Sequence, residues 1–177
     1  HEISNDVFKK IKDDSNFLLV DPQGFLRQKD SKNNIILKKT DLDLSDVNAI
    51  KINPEEGQNI VSGSHDEMML ALQKKGIEYV LLTNKSDVSL LVKNRVYSLK
   101  LPNKNIHDTT GIGDIFCSAF TCTMLKEKDF LWALCFAAGS AQAALESNNV
   151  GLQKIPKKGM VENNASYFYN LVDFRDL

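Results

Sequence analysis

Apolar residues recur along the first half of the chain at two different spacings. Ile3, Val7, Phe8 and Ile11 fall at helical intervals over residues 3–13, and Phe17 to Val20 then forms a short continuous apolar run. The first pattern predicts an amphipathic helix and the second a buried strand. Val47 to Ile52 predicts another strand, followed by a helix opening at Pro54. Ser64 and Glu67 have capping-box spacing ahead of Met68, Met69 and Leu72, and Gly76 stands where a C-terminal glycine cap belongs. A helix over residues 65–75 follows.

Tyr79 to Thr83 predicts a third strand, and the runs Val88 to Val92 and Arg95 to Leu99 flank Lys93 and Asn94 as a hairpin would. Residues 112–125 place Ile112, Ile115, Phe116, Ala119, Phe120, Thr123 and Met124 on one face, and residues 130–145 repeat the pattern with Phe130, Leu134, Ala138, Ala141 and Leu145. These two helices are expected to be the most buried. Strands alternating with helices predict an α/β fold with an open, mostly parallel sheet, helices on both faces in three layers, and an antiparallel hairpin. Residues 30–46 are polar and lysine-rich at their start, so they read as a loop or sheet margin within one domain spanning residues 1–177.

Composition narrows the partners. At 177 residues and 42% hydrophobic, the chain can bury a core without staples. Its 22 basic and 23 acidic residues give a net charge of -1, which offers no global attraction to nucleic acid or an anionic membrane. The apolar runs Tyr79 to Leu82 and Leu131 to Ala138 are too short to cross a bilayer, and no signal peptide is visible, so a cytoplasmic location is expected. Cys117, Cys122 and Cys135 form neither an even set nor a CxxC pair, and their apolar helical settings predict buried free thiols in preference to a zinc site. The chain opens on His1 and runs at once into an amphipathic pattern, as if cut from something longer.

The densest chemistry lies in HDTTGIGDIFCSAF, residues 107–120. Gly111 and Gly113 give the backbone freedom closed to other residues, and the helix behind them presents unpaired N–H groups in its first turn. Together these make an anion pocket suited to phosphate. Asp114 is a carboxylate at the edge of that pocket. It would repel phosphate, so it needs its own purpose, and accepting a proton from an attacking hydroxyl is one. Spacing alone leaves open a second reading, an ordinary glycine-rich turn with an acid near a helix start.

This stretch resembles the C-terminal signature of the PfkB (ribokinase-like) family of sugar and nucleoside kinases, a pattern close to D-T-T-G-A-G-D-x-F. Asp108, Thr109, Thr110, Gly111, Gly113, Asp114 and Phe116 match, while Ile112 replaces a small residue. Asn53-Pro54-Glu55-Glu56 is similar to the family's N-x-x-E motif, associated with magnesium and phosphate placement; it is equally an Asn N-cap, Pro at N1 and Glu at N3. Tyr79 to Lys85 looks like a strand ending in T-x-G-x-x-G beside the nucleotide phosphates, with Thr83 matching but Lys85 and Val88 in place of glycines. Lys85 reads either as an ammonium that approaches phosphate or as a solvated turn residue. Residues 136–151, with Ser140 and Asn148, resemble the alanine-rich helix and loop that flank the adenine, although core packing explains the alanines as well. Asp21 to Arg27 is similar to a D-x-Q-G-x-x-R stretch of some members, or is a plain strand-to-turn exit.

The resemblance implies the C-terminal portion of a ribokinase-like enzyme that moves the γ-phosphoryl group of ATP to a hydroxyl of a sugar, polyol or nucleoside. Asp114 would be the base, with Gly111 and the amides of Ile112, Gly113 and Asp114 holding developing charge. Thr83, Lys85, Ser140 and Asn148 would contact nucleotide. Asn53 and Glu56 would place Mg2+, directly or through water, and Asp108 and Thr110 would hold a monovalent cation such as K+. The implied partner is the small-molecule substrate, with no nucleic acid or membrane, and the family allows a homodimer. The lost glycines at Lys85 and Val88 suggest an alternative, a non-catalytic nucleotide- or metabolite-binding protein on the same fold.

Overall fold

The strand β4 (Ala49–Ile52) is buried at all four positions, as a continuous apolar run in a parallel sheet should be. It lies between β1 (Leu19–Val20) and β5 (Tyr79–Asn84), both parallel to it, with Leu19 opposite Ala49 and Ile50 opposite Val80. These strands open a mixed six-stranded sheet that continues through β6 (Asp87–Val92), β7 (Arg95–Lys100) and β8 (Asp173–Asp176). The computed structural model describes residues 3–102, 108–147 and 149–177.

The hairpin between β6 and β7 turns on Lys93 and Asn94, both at positive φ (47° and 62°). Two consecutive left-handed residues match the right-handed twist of the flanking strands, so a Lys-Asn pair performs the turn usually given to Asn-Gly. Lys85, at φ 54°, turns the chain between β5 and β6.

Contacts divide the chain into two compact units. The first comprises residues 1–84, 89–96 and 176–177. Its core gathers Phe8 from α1 (Asn5–Asp14), Phe25 from α2 (Gln23–Leu26), Ile50 and Ile52 from β4, and Met69 and Leu72 from α4 (His65–Lys74). Both caps of α4 fit expectation: Ser64 accepts the N–H of Glu67, Glu67 accepts that of Ser64, and Gly76 takes φ 99°. The short α3 (Pro54–Gln58) follows β4 directly.

Residues 30–46, read as a loop or sheet margin, contain one short strand. β2 (Arg27–Lys29) and β3 (Ile35–Leu37) form a separate antiparallel pair, joined through a turn in which Asp30 Oδ1 accepts the N–H groups of Lys32 and Asn34. Strands this short, with Ile35 and Ile36 exposed, carry no burial alternation for a pattern to reveal.

The second unit comprises residues 85–88 and 97–175. In it α6 (Phe130–Leu145) packs against both α5 (Ile112–Glu127) and α7 (Lys158–Tyr169). Covered on two sides, α6 is buried from Ala133 to Ala144 except at Phe136, whereas α5 buries Phe116, Phe120, Thr123 and Met124 and leaves its other face open. The expectation that these two helices are the most buried therefore holds for α6, while α5 buries one face only. Gly139 lets α7 approach: a Cβ there would lie 2.9 Å from the backbone of both Val161 and Ala165. α7 escapes pattern reading because only Val161, Ala165 and Phe168 are buried among polar residues. Of the cysteines, Cys135 is buried but Cys122 is exposed and Cys117 is intermediate, so the expectation of three buried thiols is corrected.

Candidate active site

Gly111 is the N-cap of α5 and takes φ 76°, the left-handed conformation that glycine adopts without strain. The turn before it is tied down, since Asp108 Oδ1 accepts the Thr110 N–H at 2.9 Å. Hydrogen bonds, first from Thr110 and then from Lys154, hold the Asp108 carboxyl down at about 2. In the turn itself the Ile112 N–H donates to Thr109 O at 3.2 Å, and Ile115 N–H returns to Gly111 O at 3.0 Å. Within the first turn of α5 the N–H groups of Gly113 and Asp114 are the ones that no helical carbonyl can reach. The predicted amide trio is thereby narrowed, because Ile112 spends its donor locally. Its side chain is half-buried.

Asp114 is exposed and borders a cavity of about 780 Å3 within the second unit. That volume lies in the range of small-molecule sites, roughly 300–1,000 Å3. Ile115, Ala119, Phe136 and Val161 contribute apolar walls, while Asp108, Thr110 and Gly111 join Asp114 among its polar lining. Ser140 also lines it, with its Oγ donating to Phe136 O at 2.9 Å. Asp108, Thr110, Gly111, Asp114 and Ser140 are thus brought together as predicted neighbours. Asn148 lies outside the described residues.

The remaining predicted residues belong largely to the first unit. Asn53 and Glu56 form a complete capping box: Glu56 N–H donates to Asn53 Oδ1 at 2.8 Å and Asn53 N–H to Glu56 Oε2 at 2.9 Å. Glu56 is 1% exposed. Its carboxylate also faces Lys51 Nζ at 3.8 Å and accepts Gln23 Nε2 at 3.4 Å, and Lys51 in turn pairs with Asp21 at 2.9 Å. Burial pushes the Glu56 carboxyl above its ordinary value, opposed by Lys51 and the Asn53 N–H. The capping box and Lys51 engage Oε2 and Gln23 engages Oε1, and among the described residues no group of three or more His, Cys, Asp or Glu is placed to hold a metal ion. The D-x-Q-G-x-x-R stretch supplies Asp21 and Gln23 to this buried polar group.

Thr83, near the end of β5, places its hydroxyl 3.5 Å from Ile52 O. Lys85 keeps a backbone geometry that glycine would favour, while its side chain is exposed; Val88 is buried in β6. Two lysines went unassigned by the sequence reading. Lys51 has a visible signal, a charge interrupting Ala49-Ile50-Lys51-Ile52, where a buried cation demands a partner. Lys154 has none, since its partners are 44 and 46 residues away.

Solved structures with this fold are kinases of the ribokinase family. A pyrophosphate-dependent kinase in the ribokinase family, complexed with a pyrophosphate analog and myo-inositol, shares 19% identity over 90% of this chain and 57% of its own, with TM-score 0.76. A ribokinase from Thermotoga maritima shares 16% over 90% of this chain and 52% of its own, with TM-score 0.71. Arabidopsis thaliana ribokinase, complexed with ribose and ATP, shares 20% over 93% of this chain and 60% of its own, with TM-score 0.63. The chain therefore spans less than two thirds of the length of these proteins. Comparison with curated protein sequences gives no match. The chain itself belongs to the pfkB family of carbohydrate kinases, whose family model matches residues 24–158. Among the described residues, no helix is long and apolar enough to cross a membrane.

Proposed function

We propose that this chain is the nucleotide-binding part of an ATP-dependent kinase acting on a hydroxyl of a sugar, polyol or nucleoside, and that its 177 residues form part of a single ribokinase-like domain. The observation that carries the reading is the placement of Asp114 and the first-turn amides of α5 beside a largely apolar cavity. Phosphate is drawn to such amides and to the positive end of the helix dipole. The apolar walls suit a nucleobase, which pyrophosphate lacks, and so favour a nucleotide donor.

In this reading the substrate hydroxyl gives its proton to the Asp114 carboxylate as its oxygen forms a bond to the γ-phosphorus. The bond from that phosphorus to the bridging oxygen breaks, and ADP leaves with the electron pair. The Gly113 and Asp114 amides face the charge on the transferring group, and each such donor is worth roughly 10²–10³ in turnover. Ser140 contributes to nucleotide placement. Any influence of Glu56 and Asn53 on magnesium would pass through bound water, which suits an ion that retains its waters. The reaction proceeds between soluble partners; neither nucleic acid nor membrane is required, and a homodimer is compatible with it.

The test is Asp114→Asn in the intact protein, screened against sugars, inositol and nucleosides. Turnover should fall by roughly 10²–10⁴-fold, with ATP affinity little changed. Near-normal turnover would remove Asp114 from the mechanism, and nucleotide binding by the wild type without turnover on any acceptor would support the non-catalytic reading.

A further inference from the structure

The Lys154 side chain is 4% exposed, and its ammonium is not solvated but enclosed by three oxygens of the turn that leads into α5. It lies 2.7 Å from Asp108 O, 3.1 Å from Asp108 Oδ2 and 3.2 Å from Thr110 O. An ammonium has three donors and no acceptor, so this set uses all of them. Two backbone carbonyls and a carboxylate converging on one point repel each other unless a cation sits between them. Here the cation is covalently part of the chain.

Asp108 and Thr110 are the residues from which a K+ site was expected. The observed geometry does not fit a dissolved ion there: the oxygens that would bind it already surround Lys154 Nζ at hydrogen-bonding distance. Residues 149–154, which deliver the lysine, carry contacts of their own. Gly151 takes φ 60° at the start of the 3₁₀ turn Gly151–Lys154, and Asn149 Nδ2 donates to Gln153 O at 3.2 Å, so Lys154 projects from a fixed position.

We propose that the Lys154 ammonium is a built-in substitute for a monovalent cation at the Asp108–Thr110 turn, and that this protein needs no potassium at that place. A tethered cation is present at every salt concentration, because its local concentration is set by the chain. The consequence for the site is one of positioning. Asp108 holds Thr110 through one carboxylate oxygen and Lys154 through the other, and Gly111, the N-cap of α5, follows immediately. Lys154 thereby steadies the turn that aims the Gly113 and Asp114 amides. It touches no reacting atom in the proposed mechanism. Its value to catalysis rests on that reading, while its substitution for a cation does not.

The intact protein, exchanged into tetramethylammonium chloride, is compared at constant ionic strength with protein in potassium or ammonium chloride. Melting temperature and turnover are both measured. Wild type should show no potassium-specific change in either. A potassium-specific rise in the wild-type melting temperature would overturn the proposal. Lys154→Met and Lys154→Ala should melt lower in tetramethylammonium and lose turnover by roughly 10–100-fold, the range seen when groups supporting a site are removed. Potassium or ammonium, but not tetramethylammonium, should restore both. Variants that no monovalent cation stabilises or restores, including variants that fold in none of these salts, would overturn the substitution and leave Lys154 a packing residue. The melting readout requires no turnover, so failure of the kinase reading leaves this test intact. A protein that turns over ATP yet is stabilised specifically by potassium would reject the cation inference alone.

Discussion

Glu56 and Asn53 each accept the other's backbone N–H, at 2.9 and 2.8 Å, and the same Glu56 carboxylate oxygen that completes this exchange faces Lys51 at 3.8 Å. One buried acid therefore starts α3 and faces a lysine of the interior strand β4. Glu56→Gln keeps the shape but removes the charge. It should destabilise the protein by roughly 2–4 kcal/mol, since a buried cation loses one of its counter-charges. Chemical unfolding gives that loss directly. A magnesium titration of turnover separates the two roles: an unchanged magnesium requirement confirms the structural role alone, whereas a raised one places a magnesium-bound water against this carboxylate.

Lys85 occupies left-handed backbone space that costs a non-glycine residue about 1 kcal/mol. Lys85→Gly should therefore stabilise the protein by up to about 1 kcal/mol, less the entropy glycine gains in the unfolded chain. The urea midpoint should rise or stay unchanged. ATP affinity measured on the same variant discriminates the side-chain roles. A weaker Kd marks the ammonium as a phosphate contact; an equal Kd marks it as a turn residue.

Cys122 is exposed at the cavity, while burial first and then the charge of Asp129 push the Cys135 thiol up to about 12. The thiolate is the reactive form, so at pH 8 a maleimide should label Cys122 rapidly and leave Cys135 unmodified in the folded protein. Saturating ATP should slow labelling of Cys122. Labelling unaffected by nucleotide would place the nucleobase elsewhere.

The Asp108 carboxyl, held down at about 2 from an ordinary 3.8, contributes stability that is fully present above pH 4 and disappears as the pH falls through about 2. Carbon NMR of the carboxyl should show a midpoint near 2. In Lys154→Met the midpoint should rise toward the ordinary value, while the Thr110 bonds keep it from reaching that value. A titration unchanged by Lys154→Met would show that the Thr110 hydrogen bonds alone hold the group down.

The sequence by itself determined most elements of the sheet and the two long apolar helices, because those depend on periodicity and on caps closed within three or four residues. The Asn53–Glu56 and Ser64–Glu67 boxes, Gly111 ahead of α5 and the Lys93–Asn94 turn were legible for that local reason. The signature around Asp114 was legible too, since its glycines, helix start and carboxylate are contiguous. Tertiary structure decided what contiguity cannot encode. It gave Lys51 the partner Asp21 by setting β4 beside β1, and it closed the face of α6 with α7, whose own pattern is too sparse to read. It also brought Lys154 to Asp108 and Thr110 across more than forty residues. The family resemblance implied a dissolved cation at that turn, and folding placed a lysine there, because an ammonium on a long side chain can satisfy oxygens that no neighbouring residue reaches.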